Sequence, residues 1–129
     1  MAATFKFEVV SPERVLLATD AEQVLVPGDD GDFTVFSGHA PVISTLRPGI
    51  LEVKGPGGAR RLYVKGGFAE VEPDRLTILA ASAIDIADGA RERIRSELAA
   101  AESELASASG DDAKRLAIEA VESLRRISA

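Results

Sequence analysis

His39 is the only histidine in this chain, and it follows Ser37 by two residues and the acidic pair Asp30 and Asp32 by a short stretch. A histidine base needs a nucleophile within reach and a carboxylate to orient its ring. Ser37, Asp30 and Asp32 supply the residue types without the pattern: neighbours in one loop rarely converge, and no Gly-x-Ser-x-Gly elbow occurs. A turn or interface histidine is the better reading. Gly28-Asp29-Asp30-Gly31-Asp32 offers carboxylates for calcium or magnesium. An EF-hand loop wants glycine at its sixth position and glutamate at its twelfth. Counted from Asp30 these are Val35 and Pro41, so the pattern fails and a solvated turn is expected. Gly55-Pro56-Gly57-Gly58-Ala59-Arg60 lacks the Gly-Lys-Ser/Thr ending and the following helix that a phosphate loop requires. It reads as a hairpin loop. The chain has no cysteine, which excludes disulfides, thiolate catalysis and cysteine-ligated zinc. No catalytic residue, metal or cofactor is expected.

At 129 residues the chain suits one domain with an appendage, or two very small domains. A hydrophobic content of 46% rules out disorder of the whole chain. Its net charge of −6 opposes sequence-independent binding to nucleic acid, which needs a basic face to displace counterions. The start, MAATFKFEVV, lacks a basic region followed by a long apolar run, so no secretory signal is expected. Nothing approaches the ~20 apolar residues of a membrane span, and a cytoplasmic protein is the default.

The candidate residues sit among short strands. Phe5, Phe7 and Val9 alternate with Thr4, Lys6 and Glu8, the mark of a half-buried strand. Further apolar runs follow at 15–17, 23–26, 33–36, 42–46, 50–53, 62–64, 68–71 and 76–80, separated by turn signals such as Pro27-Gly28 and Arg47-Pro48-Gly49. Gly66-Gly67 marks a bulge or sharp bend. No helical pattern separates the strands, so the spacing predicts an antiparallel sandwich or barrel. The chain changes character near residue 85: all six prolines precede it, and alanine, glutamate and arginine dominate after it. The predicted division is a β-sandwich domain over 1–86 and a helical domain over 87–129.

Ala87, Ala90, Ile94, Leu98, Ala101, Leu105 and Ala108 recur at helical spacing, as do Ala113, Leu116, Ala117, Ala120, Val121, Leu124 and Ile127. Between them Gly110 suits a left-handed turn, and an aspartate at 111 or 112 suits a helix cap. Two amphipathic helices joined by a short loop form an antiparallel hairpin. Its alanine-rich interior is too small to stand alone, so it should lean on something else. The interleaved helix charges read as a solvated face with i,i+4 pairs such as Arg93 with Glu97.

Taken together and in order, several segments resemble the epsilon subunit family of F-type ATP synthases, called delta in mitochondria. They are Phe7-Glu8-Val9-Val10-Ser11-Pro12-Glu13, Val24-Leu25-Val26-Pro27-Gly28, Gly31-Asp32-Phe33-Thr34-Val35, Gly38-His39-Ala40-Pro41, Leu46-Arg47-Pro48-Gly49 and Gly66-Gly67-Phe68-Ala69-Glu70-Val71. The likeness is dense over 5–86 and weaker beyond.

The resemblance implies an α+β chain: an N-terminal antiparallel β-sandwich of about ten strands, then a C-terminal antiparallel two-helix hairpin. It implies a non-catalytic subunit of the central rotor stalk, at the cytoplasmic face of the bacterial inner membrane, whose membrane association is indirect. The partners it implies are the gamma subunit and the c-ring. Gly31, Asp32, Phe33, His39, Ala40 and Pro41 would face the c-ring, with Asp32 meeting its polar loops; Ser44 and Thr45 would lie near gamma. In some members the hairpin swings out along gamma and blocks hydrolysis, and basic residues of the second helix meet alpha and beta subunits. Lys114, Arg115, Arg125 and Arg126 would take that part here. Some members bind ATP through Ile-Asp-x-x-Arg-Ala. Ile84 and Asp85 match its start, but Asp88-Gly89 stands where Arg-Ala belongs, which reverses the charge offered to a phosphate. Weak or absent ATP binding is expected. The competing reading is a stand-alone sandwich that binds protein and carries a helical oligomerisation tail.

Overall fold

A computed structural model describes residues 3–87 and 90–128. Along β1 (Phe5–Val10) the alternation predicted from sequence is obeyed: Phe5, Phe7 and Val9 are buried and Lys6 is exposed. The strands that follow are β2 (Val15–Ala21), β3 (Gln23–Val26), β4 (Phe33–Phe36), β5 (Val42–Thr45), β6 (Gly49–Gly55), β7 (Gly58–Glu72) and β8 (Arg75–Asp85). The helices are α1 (Arg91–Ser107) and α2 (Asp111–Ser128).

Among the described residues eight strands stand where about ten are expected, because β7 and β8 run to 15 and 11 residues and each serves both layers of the sandwich. The first half of β7 pairs with β6 and with the end of β8, while its second half pairs with β5 and the start of β8. One layer therefore runs β4-β3-β6-β7-β8 and the other β2-β1-β8-β7-β5. The runs at 62–64 and 68–71 are two halves of one strand. At Gly66-Gly67 the two strands bend together with their register unbroken, Lys65 opposite Ser82 and Gly67 opposite Ala80, so the feature is a bend and not a bulge. Gly67 has φ +113°, and a Cβ there would lie 1.8 Å from the Leu79 carbonyl oxygen. Only glycine permits that approach.

One pairing departs from the antiparallel expectation. β1 and β8 lie side by side in parallel, Phe7 opposite Leu76 and Val9 opposite Ile78. Hairpin turns force antiparallel neighbours, but these strands are the two ends of the sandwich in sequence, and no turn constrains their direction.

Between the layers sits one continuous core, built from such residues as Phe7, Val24, Leu51, Val64, Val71 and Ile78. A second cluster forms outside the first layer. Ile50 of β6, Tyr63 of β7 and Ile84 of β8 point outward there and meet Ile94, Ala101, Ala120, Val121 and Leu124 of the helices. The hairpin thus leans on the sandwich, as its thin interior requires. Leu62-Tyr63-Val64 is apolar without alternation because both of its faces are covered: Leu62 and Val64 serve the inner core and Tyr63 the outer one.

α1 begins at Arg91, so Ala87 lies outside it, and Ala90 is the residue that caps it. Gly110 adopts φ +90°, and its carbonyl accepts the Lys114 amide in the first bond of α2. Asp111 and Asp112 fall in the first turn of that helix, where they complement its dipole, instead of capping it. The Arg93–Glu97 pair does not form among the described residues: Arg93 donates to the Ala83 carbonyl at 3.4 Å, and Arg95 pairs with Glu92 at 3.8 Å.

Gly67→Ala should destabilise the sandwich by about 3 kcal/mol or more, because strain and a backbone clash combine at the bend. Chemical denaturation followed by circular dichroism measures it.

Candidate interaction surface

Two tight turns bring the expected c-ring residues to one end of the sandwich. The His39 amide donates to the Phe36 carbonyl at 3.1 Å, and the Gly38 amide donates to the Pro73 carbonyl at 2.6 Å. These bonds close the turn before β5 and tie it to the β7–β8 turn. Phe33 and His39 then approach with ring centroids 6.4 Å apart at a tilt of 42°. His39 Nδ1 lies 2.7 Å from the Ala40 carbonyl oxygen. A carbonyl only accepts, so Nδ1 is the donor in this contact. Among the described residues no hydrogen bond joins His39 to Ser37, Asp30 or Asp32, and no catalytic constellation assembles. Ala40 and Pro41 are exposed beside it.

Asp32 is not an isolated carboxylate. It forms an ion pair with Arg47, from the turn that enters β6. The acidic loop is likewise only partly a solvated turn. The Asp29 amide donates to the Thr45 carbonyl at 2.8 Å, and its carboxylate accepts from Arg115 of α2 at 3.0 Å.

β5 continues directly from the His39 turn. It pairs with β7 on one side; on the other its last residue is engaged, the Thr45 carbonyl accepting the Asp29 amide. Ile43 on this strand is 70% exposed, the most exposed large apolar side chain described. Pairing carries Thr45 next to Phe68, Phe68 next to Leu79, Leu79 next to Val10, and Val10 next to Val15. These five positions form one row across the whole second layer, on the face turned away from the hairpin. Val10, Pro12, Phe68, Leu79 and Ala81 line an almost wholly apolar groove of about 410 Å³ along it. Sequence reading placed Ser44 and Thr45 here without seeing the row. Its members come from five strands, and only the strand register aligns them.

The basic residues of α2 do not form one patch. Lys114 and Arg115 lie in its first turns and Arg125 and Arg126 in its last, about 15 Å apart along the axis. Arg115 is engaged by Asp112 at 2.9 Å, by Asp29 at 3.0 Å and by Glu119 at 3.5 Å. The bonds from Asp112 and then Asp29 hold its guanidinium even more firmly protonated than usual. Arg125 pairs with Glu102 of α1 at 2.9 Å. Lys114 and Arg126 have no ion pair among the described residues. Ile84 is buried beneath the hairpin, and Asp85 faces Arg60 at 3.7 Å. Asp88 and Gly89, where the ATP motif departs from its pattern, lie outside the described residues.

Sequence reading missed three elements of the joint between sheet and hairpin. The Asp29–Arg115 pair is one; Lys65–Glu104, at 2.8 Å, is another. Tyr63 is the third. Its hydroxyl is buried and finds no hydrogen-bond partner in the protein. Burial, with Glu97 and Glu104 close by, raises its pKa well above that of a free phenol. The unbroken apolar run 62–64 was the one available signal.

A two-layer β-sandwich with one outer face under a helical hairpin and the other bearing an open apolar row is a binding subunit. Its polar side chains pair with each other instead of converging on a reacting centre. Residues 4–86 match the family model described as ATP synthase, Delta/Epsilon chain, beta-sandwich domain. The chain is 43% identical over 128 residues to the ATP synthase epsilon chain of Parvibaculum lavamentivorans, covering 98% of this chain and 97% of that one. It is 46% identical over 121 residues to that of Rhodospirillum rubrum, covering 93% and 90%. Two solved structures share the fold. A chain of the Euglena gracilis mitochondrial ATP synthase (OSCP/F1/c-ring) superposes with a TM-score of 0.70 at 21% identity, covering 97% of this chain and 79% of that one. A chain of the Tetrahymena thermophila central stalk and c-ring gives 0.68 at 13% identity, covering 99% and 98%. The chain belongs to the ATP synthase delta/epsilon family. It is a non-catalytic, accessory subunit of that membrane-associated complex. No helix among the described residues is long and apolar enough to cross a membrane.

Asp85 already faces Arg60, and Asp88 adds a negative charge where the motif calls for arginine. Calorimetric titration of the isolated chain with ATP should show no saturable binding at micromolar concentration.

Proposed function

We propose that this chain works in the central stalk as a mechanical coupler at the cytoplasmic face of the bacterial inner membrane, held by gamma on one face and by the c-ring at one end. The observation that carries the reading is the open apolar row on the second layer, continuous with the turn that holds His39. Monomeric proteins rarely leave such a stripe bare unless a partner covers it. In this reading Ser44, Thr45, Ile43 and Phe68 meet gamma, and Gly31, Asp32, Phe33, His39, Ala40 and Pro41 meet the c-ring. Rigid turns fix the shape of that end in advance, which lowers the ordering cost of binding. Asp32, steadied by Arg47, presents its remaining acceptor capacity to a basic or amide-bearing loop of c. Membrane association then runs through the c-ring.

Residues 1–86 form the coupling part in this reading, and 87–129 the regulatory part. The docked hairpin keeps Arg115 and Arg125 in internal pairs. Swung away from the sandwich, Arg115 loses Asp29, and with Lys114, Arg125 and Arg126 it turns toward acidic surfaces of the alpha and beta subunits.

Ile43→Glu should leave the folded chain within about 0.5 kcal/mol of its original stability, as an exposed substitution does. It should weaken assembly with gamma by about tenfold or more, because it puts a charge into an apolar contact. Co-purification and a binding titration with gamma measure this; undiminished assembly refutes the assignment of that face. For the hairpin, the decisive comparison is ATP hydrolysis by the complex assembled with the full chain and with a chain ending at Ala87. Faster hydrolysis with the shortened chain is expected. An equal rate removes the inhibitory role and leaves the coupling role intact.

A further inference from the structure

We infer that the partner covering the apolar row carries a lysine or arginine set against Glu70, and that this carboxylate decides which surfaces the row accepts. The inference rests on the reading that this face meets gamma, and names the chemistry such a partner needs.

Glu70 lies between Ala69 and Val71 on β7, both buried in the inner core, so its side chain points to the outer face. Register sets it opposite Ile43 of β5 on one side and Thr77 of β8 on the other, with Glu8 of β1 next to Thr77. Paired side chains on neighbouring strands stand about 5 Å apart. A second row, Ile43-Glu70-Thr77-Glu8, therefore runs beside the apolar one, whose Phe68 precedes Glu70 by two residues on the same face.

The two carboxylates of this second row differ in their surroundings. Glu8 has Arg75 at 4.0 Å. Glu70 has no ion pair among the described residues, although its neighbours leave it only half exposed. Lys6 and Arg75, the cations of the next row, already have carboxylate partners; Asp20 holds Lys6 at 2.9 Å. The fold thus sets a single unanswered negative charge against the apolar row.

Ile43 is 70% exposed, and covering it also removes water from Glu70 beside it. A wholly apolar cover would seal that carboxylate without a counter-charge, which costs more than covering one isoleucine contributes. A cover that places a cation over Glu70 supplies the missing partner. A second copy of this chain does not. Stacked on itself about a two-fold axis, the face buries two Glu70 carboxylates with no free cation between them. An apolar row alone accepts any apolar cover; the carboxylate beside it makes the choice.

The test is a binding titration of the full chain against assembled alpha, beta and gamma subunits lacking it, at two ionic strengths. Glu70→Gln keeps the shape and removes the charge. It should raise Kd about tenfold at low salt, and Glu70→Lys about a hundredfold. Raising ionic strength from about 0.05 M to about 0.5 M should weaken the complex of the unaltered chain, and less so that of the Glu70→Gln chain. This salt readout separates a lost charge from a lost fold or packing contact. Equal salt dependence with and without the carboxylate overturns the inference. Ile43→Glu distinguishes the two readings: binding weakened by Ile43→Glu and untouched by Glu70→Gln overturns the inference and leaves the gamma-facing assignment standing, whereas binding that neither substitution weakens overturns both. Sedimentation of the unaltered chain alone should show a monomer, and a dimer that Ile43→Glu dissolves also overturns the inference.

Discussion

The Leu79 carbonyl oxygen occupies the space that any side chain at position 67 would need. That single close approach lets β7 and β8 turn together from one layer into the other without losing register. Because both strands cross, the two layers share a pair of continuous backbones and cannot slide or hinge independently. Loads applied to the β5 edge pass along β7 and β8 to the face beneath the hairpin. A protein held between other subunits needs that stiffness, and here two glycines and an unbroken ladder contribute to it.

The two outer faces of the sandwich differ in how they handle exposed apolar surface. On the first layer Ile50, Tyr63 and Ile84 are covered by helices of the same chain. On the second layer the row from Thr45 through Phe68, Leu79 and Val10 to Val15 stays open. The hydrophobic effect makes no distinction between a cover from the same chain and one from another. The distinction lies in reversibility. The internal cover is fastened at its rim by half-exposed ion pairs and leaves a phenol buried without a partner.

Much of the strand layout was legible in the residues. Alternation of Phe5, Phe7 and Val9, the turn signals at Pro27-Gly28 and Arg47-Pro48-Gly49, and the loss of proline after residue 85 each mark elements that form. Those signals are local, and local chemistry decides them. The failures have identifiable causes. Ala87 shares the helical spacing but precedes the first turn of α1, and spacing alone does not report where a helix begins. Arg93 was matched to Glu97 by the i,i+4 rule, yet the sheet offers the Ala83 carbonyl within reach. Asp32 was read as part of a solvated turn, and its partner Arg47 is distant in sequence. The quoted site residues were found through the ordered resemblance of several turns, and composition alone would have left them as ordinary loops.

The sequence by itself determined that the chain makes short strands and then two amphipathic helices, that it holds no cysteine and a single histidine, and that its turns resemble one family. These are properties of residue type and near-neighbour spacing. Tertiary structure alone decided that Tyr63 lies sealed beneath a hairpin, that Arg115 reaches Asp29, and that residues from five strands align into one row. Each of those facts depends on strand register and on the crossing of two long strands between layers. Register joins residues tens of positions apart, and no short-range pattern in a chain encodes it.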